Sequence, residues 1–490
     1  MTLGSAWSVG LSGLSTSSDQ MSLVSRNVAR AGDPNASRKI GEQITLLGGS
    51  ARLTTINRVT DQVLLDGALS SSSSLSREAS MMAHLDQLYG AILDPQLASS
   101  PAAMVADLET QMRLLASDPS NRSAGLQVIS SAGALASGLN SATKIVSSVR
   151  TQADTEIAAA VSDLNGLLQN LSSVNKEIVT ATPAKIDITD QLDRRDELLK
   201  QISEIVGIKV VPRDGNDIIV YTDGGVVLFE RTPRDVTFTP TGYLGPGSIG
   251  GAITIDGVEV TGDGALMPSR TGSIVGLTQI RDNIAPLLQN QLDEMARGLI
   301  GTFADSDQSG SGKPDLPGLF TWSGMTVPLA GSLMSGLAAE IRVNPQVDPA
   351  QGGDLRYLRD GGASAPADPD YNANPNGYAG YSGRLIELIG GLSAPALFDA
   401  AAGLSTSANI KEFASQSVGW FEELRQVSAS QLEVQTAIRD RADERLLGVT
   451  GISLDQEMAD LLRFEQSYQA AGRLIATVDS MIKAIIDLGR

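Results

Sequence analysis

Cysteine is absent from this 490-residue chain, and histidine occurs once, at His84. Without thiols there is no disulfide framework and no iron–sulfur cluster, and one imidazole cannot build a zinc finger. Most nucleophile chemistry goes with them, so no cofactor, no metal and no catalytic residue is expected. Aromatic residues make up only 4%, and the cores must therefore be aliphatic. Long hydrophobic runs are missing too. Stretches such as Val226–Phe229 fall far short of the roughly 18 residues that a membrane span needs. Bases are outnumbered, with 37 Lys and Arg against 56 Asp and Glu, a formal charge of −19. Such a chain is a poor partner for nucleic acid or an anionic membrane. The first basic residue is Arg26, so the basic opening of a secretory signal is lacking. A cysteine-free chain fits either the cytosol or an exported protein.

What is present is length and periodicity. The length exceeds what one core usually supports. Leu3, Trp7, Leu11, Leu14, Met21 and Val28 are spaced as an apolar helical stripe, with Gly10 and Gly13 lowering its intrinsic stability. The Ser70–Ser74 run reads as a connector or helix lead-in. Pro101 after Ser100 marks a helix start, and Asp118-Pro119 its end. Between Pro119 and Pro183, Ile157, Val161, Leu164, Leu168, Leu171 and Ile178 step by four and three, with Asn175 in the missing position. That is coiled-coil spacing. A further helix carries Leu192, Leu199, Ile202 and Ile205 and ends at Gly207.

At Ile208 the pattern turns to short strands punctuated by Asp-Gly at 214–215, 223–224, 256–257 and 263–264, a hairpin signal. Helix returns over 273–303, with a break expected near Pro286. Residues 305–400 are rich in Gly, Pro, Asp and Asn. A helix marked by Phe421, Leu424, Val427, Val434 and Ile438 follows. The last helix starts near Leu454, with a seam at Leu461, Phe464, Tyr468, Ala471, Ile475, Val478, Ile482 and Ile485. It would be roughly 50 Å long, and nothing after it buries that seam. The partner must be the N-terminal helix or another chain.

The expected fold is α+β and multidomain: a terminal helical core domain (1–50 with 448–490), a helical bundle (51–207 with 273–304 and 401–447), an inserted β domain (208–272) and a loop-rich insertion (305–400).

Chemical motifs fail on context. Gly245–Gly250 matches the dinucleotide pattern, but that pattern needs a helix directly after it, and Ile253-Thr254-Ile255 with an Asp-Gly turn follows. Gly312-Lys313 lacks the first Gly and the Ser/Thr of a phosphate loop. Asp305, Asp307, Ser309 and Gly310 begin like a calcium loop, but its bidentate Glu is replaced by Leu316. His84 sits among Met81, Leu85 and Leu88 as a structural or surface residue.

The closing segment carries Gly451-Ile452-Ser453-Leu454-Asp455-Gln456-Glu457-Met458-Ala459, then Leu462-Arg463-Phe464-Glu465-Gln466-Ser467-Tyr468-Gln469-Ala470-Ala471. Internally stand Leu192-Asp193-Arg194-Arg195-Asp196-Glu197-Leu198-Leu199, Arg281-Asp282-Asn283 and Gln289-Asn290-Gln291-Leu292-Asp293. Near the start are Leu11-Ser12-Gly13-Leu14, Asn27-Val28-Ala29, Ala31 and Pro34. Together these resemble flagellar axial proteins, specifically the hook-associated protein 1 (FlgK) family. Arg463-Phe464 favours that family over the hook protein. The N-terminal pattern departs from it at Arg30, Gly32, Asp33 and Asn35-Ala36, and the resemblance leaves out 226–272 and 305–400.

The resemblance implies a non-enzymatic structural protein of the bacterial flagellum that joins hook to filament. It would polymerise through its terminal helices and be exported without a cleaved signal peptide. The implied partners are other copies of the chain, the hook protein, a second hook-associated protein on the filament side and an export chaperone at the C-terminal helix. The expected assembly interface comprises Leu11, Leu14, Asn27, Val28, Leu461, Phe464, Tyr468, Ile475, Val478 and Ile482. A hook or distal rod protein is the alternative within the class, and a secreted adhesin-like binding protein the alternative outside it.

Overall fold

The computed structural model describes residues 3–46, 49–93 and 100–488. In chain order come α1 (Leu3–Arg30), β1 (Lys39–Thr45), β2 (Ala51–Arg58), α2 (Gln62–Leu88), α3 (Pro101–Ser117), α4 (Arg122–Ala181) and α5 (Thr189–Ile205). The strands β3 (Ile208–Pro212), β4 (Ile218–Thr222), β5 (Val227–Glu230) and β6 (Thr232–Pro233) form one antiparallel sheet. A second contains β7 (Val236–Thr237), β8 (Thr254–Ile255) and β9 (Val258–Glu259). After α6 (Ser273–Gln279) and α7 (Ala285–Thr302) come β10 (Phe320–Thr321), α8 (Leu337–Glu340), β11 (Arg342–Val343), α9 (Arg356–Asp360), α10 (Gly383–Gly391), β12 (Ala396–Leu397) and β13 (Ser407–Ala408). The chain closes with α11 (Ile410–Thr450) and α12 (Leu454–Leu488). No described helix is long and apolar enough to cross a membrane.

Helix starts follow their capping residues. Asp61 accepts from the amides of Val63 and Leu64, Ser100 from Ala103, Asn121 from Ala124 and Asn409 from Glu412, satisfying donors that a first turn leaves orphaned. The serine run is neither connector nor lead-in. It lies inside α2, where Ser71, Ser72 and Ser73 are buried. The Ser73 carbonyl accepts from the Gly272 amide at 2.9 Å, and Gly276 is packed onto the Arg77 carbonyl and Ser80. Small side chains let α2 and α6 approach this closely.

The break expected near Pro286 is a π-helical turn, Ile280–Ile284, directly before α7. Pro286 stands in the first turn of α7, and the helix runs on through it, since Ile284 and Ala285 before it keep helical angles. The wider turn aims Arg281 inward, where it pairs with Asp154 at 2.7 Å. Its guanidinium also donates to the Gly251 carbonyl, while Arg150 donates to the carbonyls of Gly245, Ser248 and Arg281. The glycine-rich loop thus offers carbonyls to two buried cations, the opposite polarity from a phosphate cradle.

The long seam of α4 is buried from Ile157 to Ile178, but it meets α5 and the first sheet rather than one partner helix. Asn175 has its explanation here. Its amide donates to Asp217 at 2.7 Å, and its carbonyl accepts from Arg195. Of the Asp-Gly pairs, Asp256-Gly257 is a tight hairpin turn with φ of 51° and 81°, joining β8 to β9. Apolar residues from both β-rich segments, including Val220, Phe229, Phe320, Ile341 and Phe398, belong to one contiguous core with α2–α7. The division expected at residue 50 cuts the β1–β2 hairpin between its strands.

Candidate assembly interface

The terminal helices form an antiparallel pair. Gly10 lies against Ile475 and Leu474, Gly13 against Ala471, and Asn27 reaches Glu457. A Cβ on Gly10 would sit 2.7 Å from Cγ1 of Ile475, so Gly10 is a point of close approach as well as a weak helix former. The pair is anchored at one end by polar groups. The Asn27 amide donates to Glu457 at 3.0 Å and to the Lys39 carbonyl at 2.9 Å, and its own carbonyl accepts from the Lys39 amide. Arg38 pairs with Glu457 at 2.7 Å and with Asp460 at 2.8 Å, and its backbone N–H reaches the Thr450 carbonyl.

The apolar stripe expected on α1 is not its buried face. The buried residues are Gly10, Thr16, Ser17, Gln20, Leu23, Val24 and Asn27. Gly10 faces α12, whereas Thr16 and Gln20 face the hairpin, where Thr16 donates to the Ala51 carbonyl and Gln20 to that of Gly41. Contact with strand backbone favours small and polar side chains, and this displaces Trp7 and Leu11 toward solvent. Leu11 is 57% exposed and Val28 lies at the surface, while Leu14 is half-buried.

On α12 the structure brings Leu461, Phe464, Ile475, Val478 and Ile482 to the side of α1, with Val478 buried and the others half-buried. Tyr468 is exposed. Asn27 is 2% exposed and spends its amide inside the chain, as the polar anchor of the pair rather than an outward contact. The periodicity missed the outer apolar residues. Met458 and Leu462 flank the seam on one side and Leu474 and Met481 on the other, and all are exposed, as is Ile485 of the expected seam itself. At the open end Leu3, Ala6, Leu474, Val478, Met481 and Ile485 line an apolar groove. Their side chains were legible as apolar, but their facing depends on where α1 lies.

The remaining candidate groups have partners within the chain. Asp305 is buried against Arg384 and accepts from the Ala363 amide at 2.9 Å, and burial raises its pKa. Asp307 accepts from Ser309, Ser311, Gly312 and Lys313, which holds its carboxyl well below the usual range. Among the described residues no group of three His, Asp or Glu side chains is placed to hold a metal ion. His84 is buried, and its Nδ1 donates to the Ser80 carbonyl at 2.9 Å.

Residues 82–318 match the model of the flagellar hook-associated protein FlgK helical domain, and residues 447–488 that of the flagellar basal body rod FlgEFG protein C-terminal region. These matches support a FlgK-family protein. Over 397 residues it is 22% identical to flagellar hook-associated protein 1 of Bacillus subtilis, covering 76% of this chain and 73% of that protein. To the Escherichia coli protein of the same name it is 23% identical over 258 residues, 51% of this chain and 45% of the relative. It therefore spans less than half the length of the Escherichia coli protein. The solved flagellar hook junction protein FlgK from Burkholderia pseudomallei superposes with a TM-score of 0.42 at 20% identity, covering 53% of this chain and 47% of that one. The helical-domain match runs through 226–272, which the sequence motifs had left outside the resemblance. Both models and both relatives are flagellar, which supports a place in the flagellum for this chain.

Proposed function

We propose that this FlgK-family chain is a structural subunit that joins hook to filament and polymerises through its terminal helical pair. The observation that carries the reading is that pair itself: α1 and α12 cover each other along one seam and leave Trp7, Leu11, Met458, Leu462, Tyr468, Leu474 and Met481 uncovered. Burying each such side chain against a neighbouring copy would contribute roughly 1.5–3 kcal/mol. A head-to-tail interface that does not close produces a tube. Within the same proposal the chain is not an enzyme, is exported without a cleaved signal, and meets the hook protein on one side and a second hook-associated protein on the other. Before assembly a chaperone covers the exposed face of α12. The helical-domain match over 82–318 favours this reading over a hook or rod protein.

The test is complementation of a deletion strain. Loss of the protein should leave hooks without filaments and shed flagellin into the medium. Leu462→Glu changes an outward residue, so it should yield a folded chain that fails to restore filaments. Normal motility with that variant would overturn the role given to the outer face.

A further inference from the structure

Four acids stand at three-residue steps along one side of α5 and its lead-in: Asp187, Asp190, Asp193 and Asp196. Such a face is ordinarily solvated. Here it faces four bases from the terminal module, with Asp193 buried beneath them and Asp190 at the exposed rim. Arg26 and Arg30, one turn apart on α1, reach Asp187 at 3.0 Å and Asp190 at 2.8 Å, and Arg30 also reaches Asp193 at 3.2 Å. Lys39 pairs with Asp190, and Arg58 with Asp196 at 2.6 Å. Ser37 donates to Asp193.

The register of the hairpin sharpens the point. Lys39 and Arg58 are directly opposed across β1 and β2, and like charges in that position repel. Both are buried or nearly so, an arrangement that persists only because the acids of α5 face them. The apolar side of α5, with Leu198, Leu199 and Ile202, belongs to the main core, whereas Leu23, Val24 and Val478 of the terminal pair do not. The joint between the two parts is therefore made by matched charge and not by a shared apolar core.

We propose that this joint is an electrostatic latch that sets the direction of the terminal helical pair relative to the rest of the chain. Matched charges fix register and orientation more than they supply adhesion, so neutralising the acids releases the pair and leaves both parts folded. This goes beyond the assembly reading and does not depend on it.

The chain's lack of cysteine makes the test clean. Nitroxide labels at Ser18→Cys on α1 and Ser162→Cys on α4, both exposed positions, report the distance between the two parts by double electron–electron resonance. The unaltered joint should give one narrow distribution. Asp190→Asn/Asp193→Asn should broaden it with the circular dichroism of the helices retained, and Lys39→Gln/Arg58→Gln should do the same from the other side. A broad distribution with the joint intact, or an unchanged one in both double variants, would overturn the latch. So would loss of helical signal in both, since the charges would then hold the fold itself.

Discussion

Asn27 and Glu457, 430 positions apart, share a 3.0 Å hydrogen bond in which the amide of α1 donates to the carboxylate of α12. Glu457 is 1% exposed and also holds Arg38 at 2.7 Å. The chain ends are thus tied through a buried charge with two partners. Removing one side of such a pair leaves the other desolvated and unpaired. Glu457→Ala should cost about 3–5 kcal/mol, read by urea denaturation followed by circular dichroism. Glu457→Gln keeps an acceptor for Asn27 and should cost less. Equal losses for the two would mean that packing, not charge, dominates here.

Gly10 supplies the second prediction. Alanine is preferred over glycine inside a helix by about 1 kcal/mol, yet a Cβ here would lie 2.7 Å from Ile475 and 2.9 Å from Leu474. Overpacking costs about 1–3 kcal/mol, so Gly10→Ala should lower the thermal midpoint. Gly4, with no atom within 4 Å of an added Cβ, is the control, and Gly4→Ala should raise the midpoint. In an Ile475→Ala background, where Cγ1 is gone, Gly10→Ala should cost less than in the parent.

The contrast between α12 and α1 shows what the sequence could and could not disclose. Leu461, Phe464, Ile475 and Ile482 were readable because a regular apolar spacing survives whatever partner covers it. The buried side of α1 carries Thr16, Ser17, Gln20 and Asn27, whose role comes from strand backbone lying opposite, and no periodicity announces a strand. The acids of α5 likewise look like an ordinary solvated face until Lys39 and Arg58 are placed over them. The strands after Ile208 were legible from their Asp-Gly turns. Their shared core with the helices was not, because it depends on contacts distant in sequence.

Asn175 offers a test of the one irregular seam position in α4. Leucine would complete the apolar spacing, and an isolated coiled coil would gain from it. In this chain the amide holds Asp217 at 2.7 Å and the carbonyl accepts from Arg195, and both partners are buried. Orphaning buried polar groups costs about 1–3 kcal/mol or more when they are charged. Asn175→Leu should therefore destabilise the chain in urea, and a gain in stability would show that the seam outweighs its polar partners.

Stability should respond to pH with two opposite signs. Asp293 lies on α7, where burial pushes its pKa up to about 6 despite hydrogen bonds from the amides of Gly336 and Ala338 and from Gln289, and the neighbouring charge of Glu294 adds to the rise. A carboxyl that binds its proton more tightly when folded favours the folded state at low pH. Its contribution should fall by about 3 kcal/mol as pH climbs from about 4 to 6. Asp187 and Asp190 behave in reverse. Burial acts against their ionised forms, but hydrogen bonds from Thr189 and Arg26, and from Lys39, lower their pKa values. Their contribution is present at neutral pH and disappears as pH falls below the ordinary carboxylate range. Urea midpoints measured from pH 3 to 8 should separate the two, because Asp293→Asn removes the decline between about 4 and 6 and leaves the acid limb intact. If the variant and the parent show the same slope in that window, Asp293 is not the group responsible.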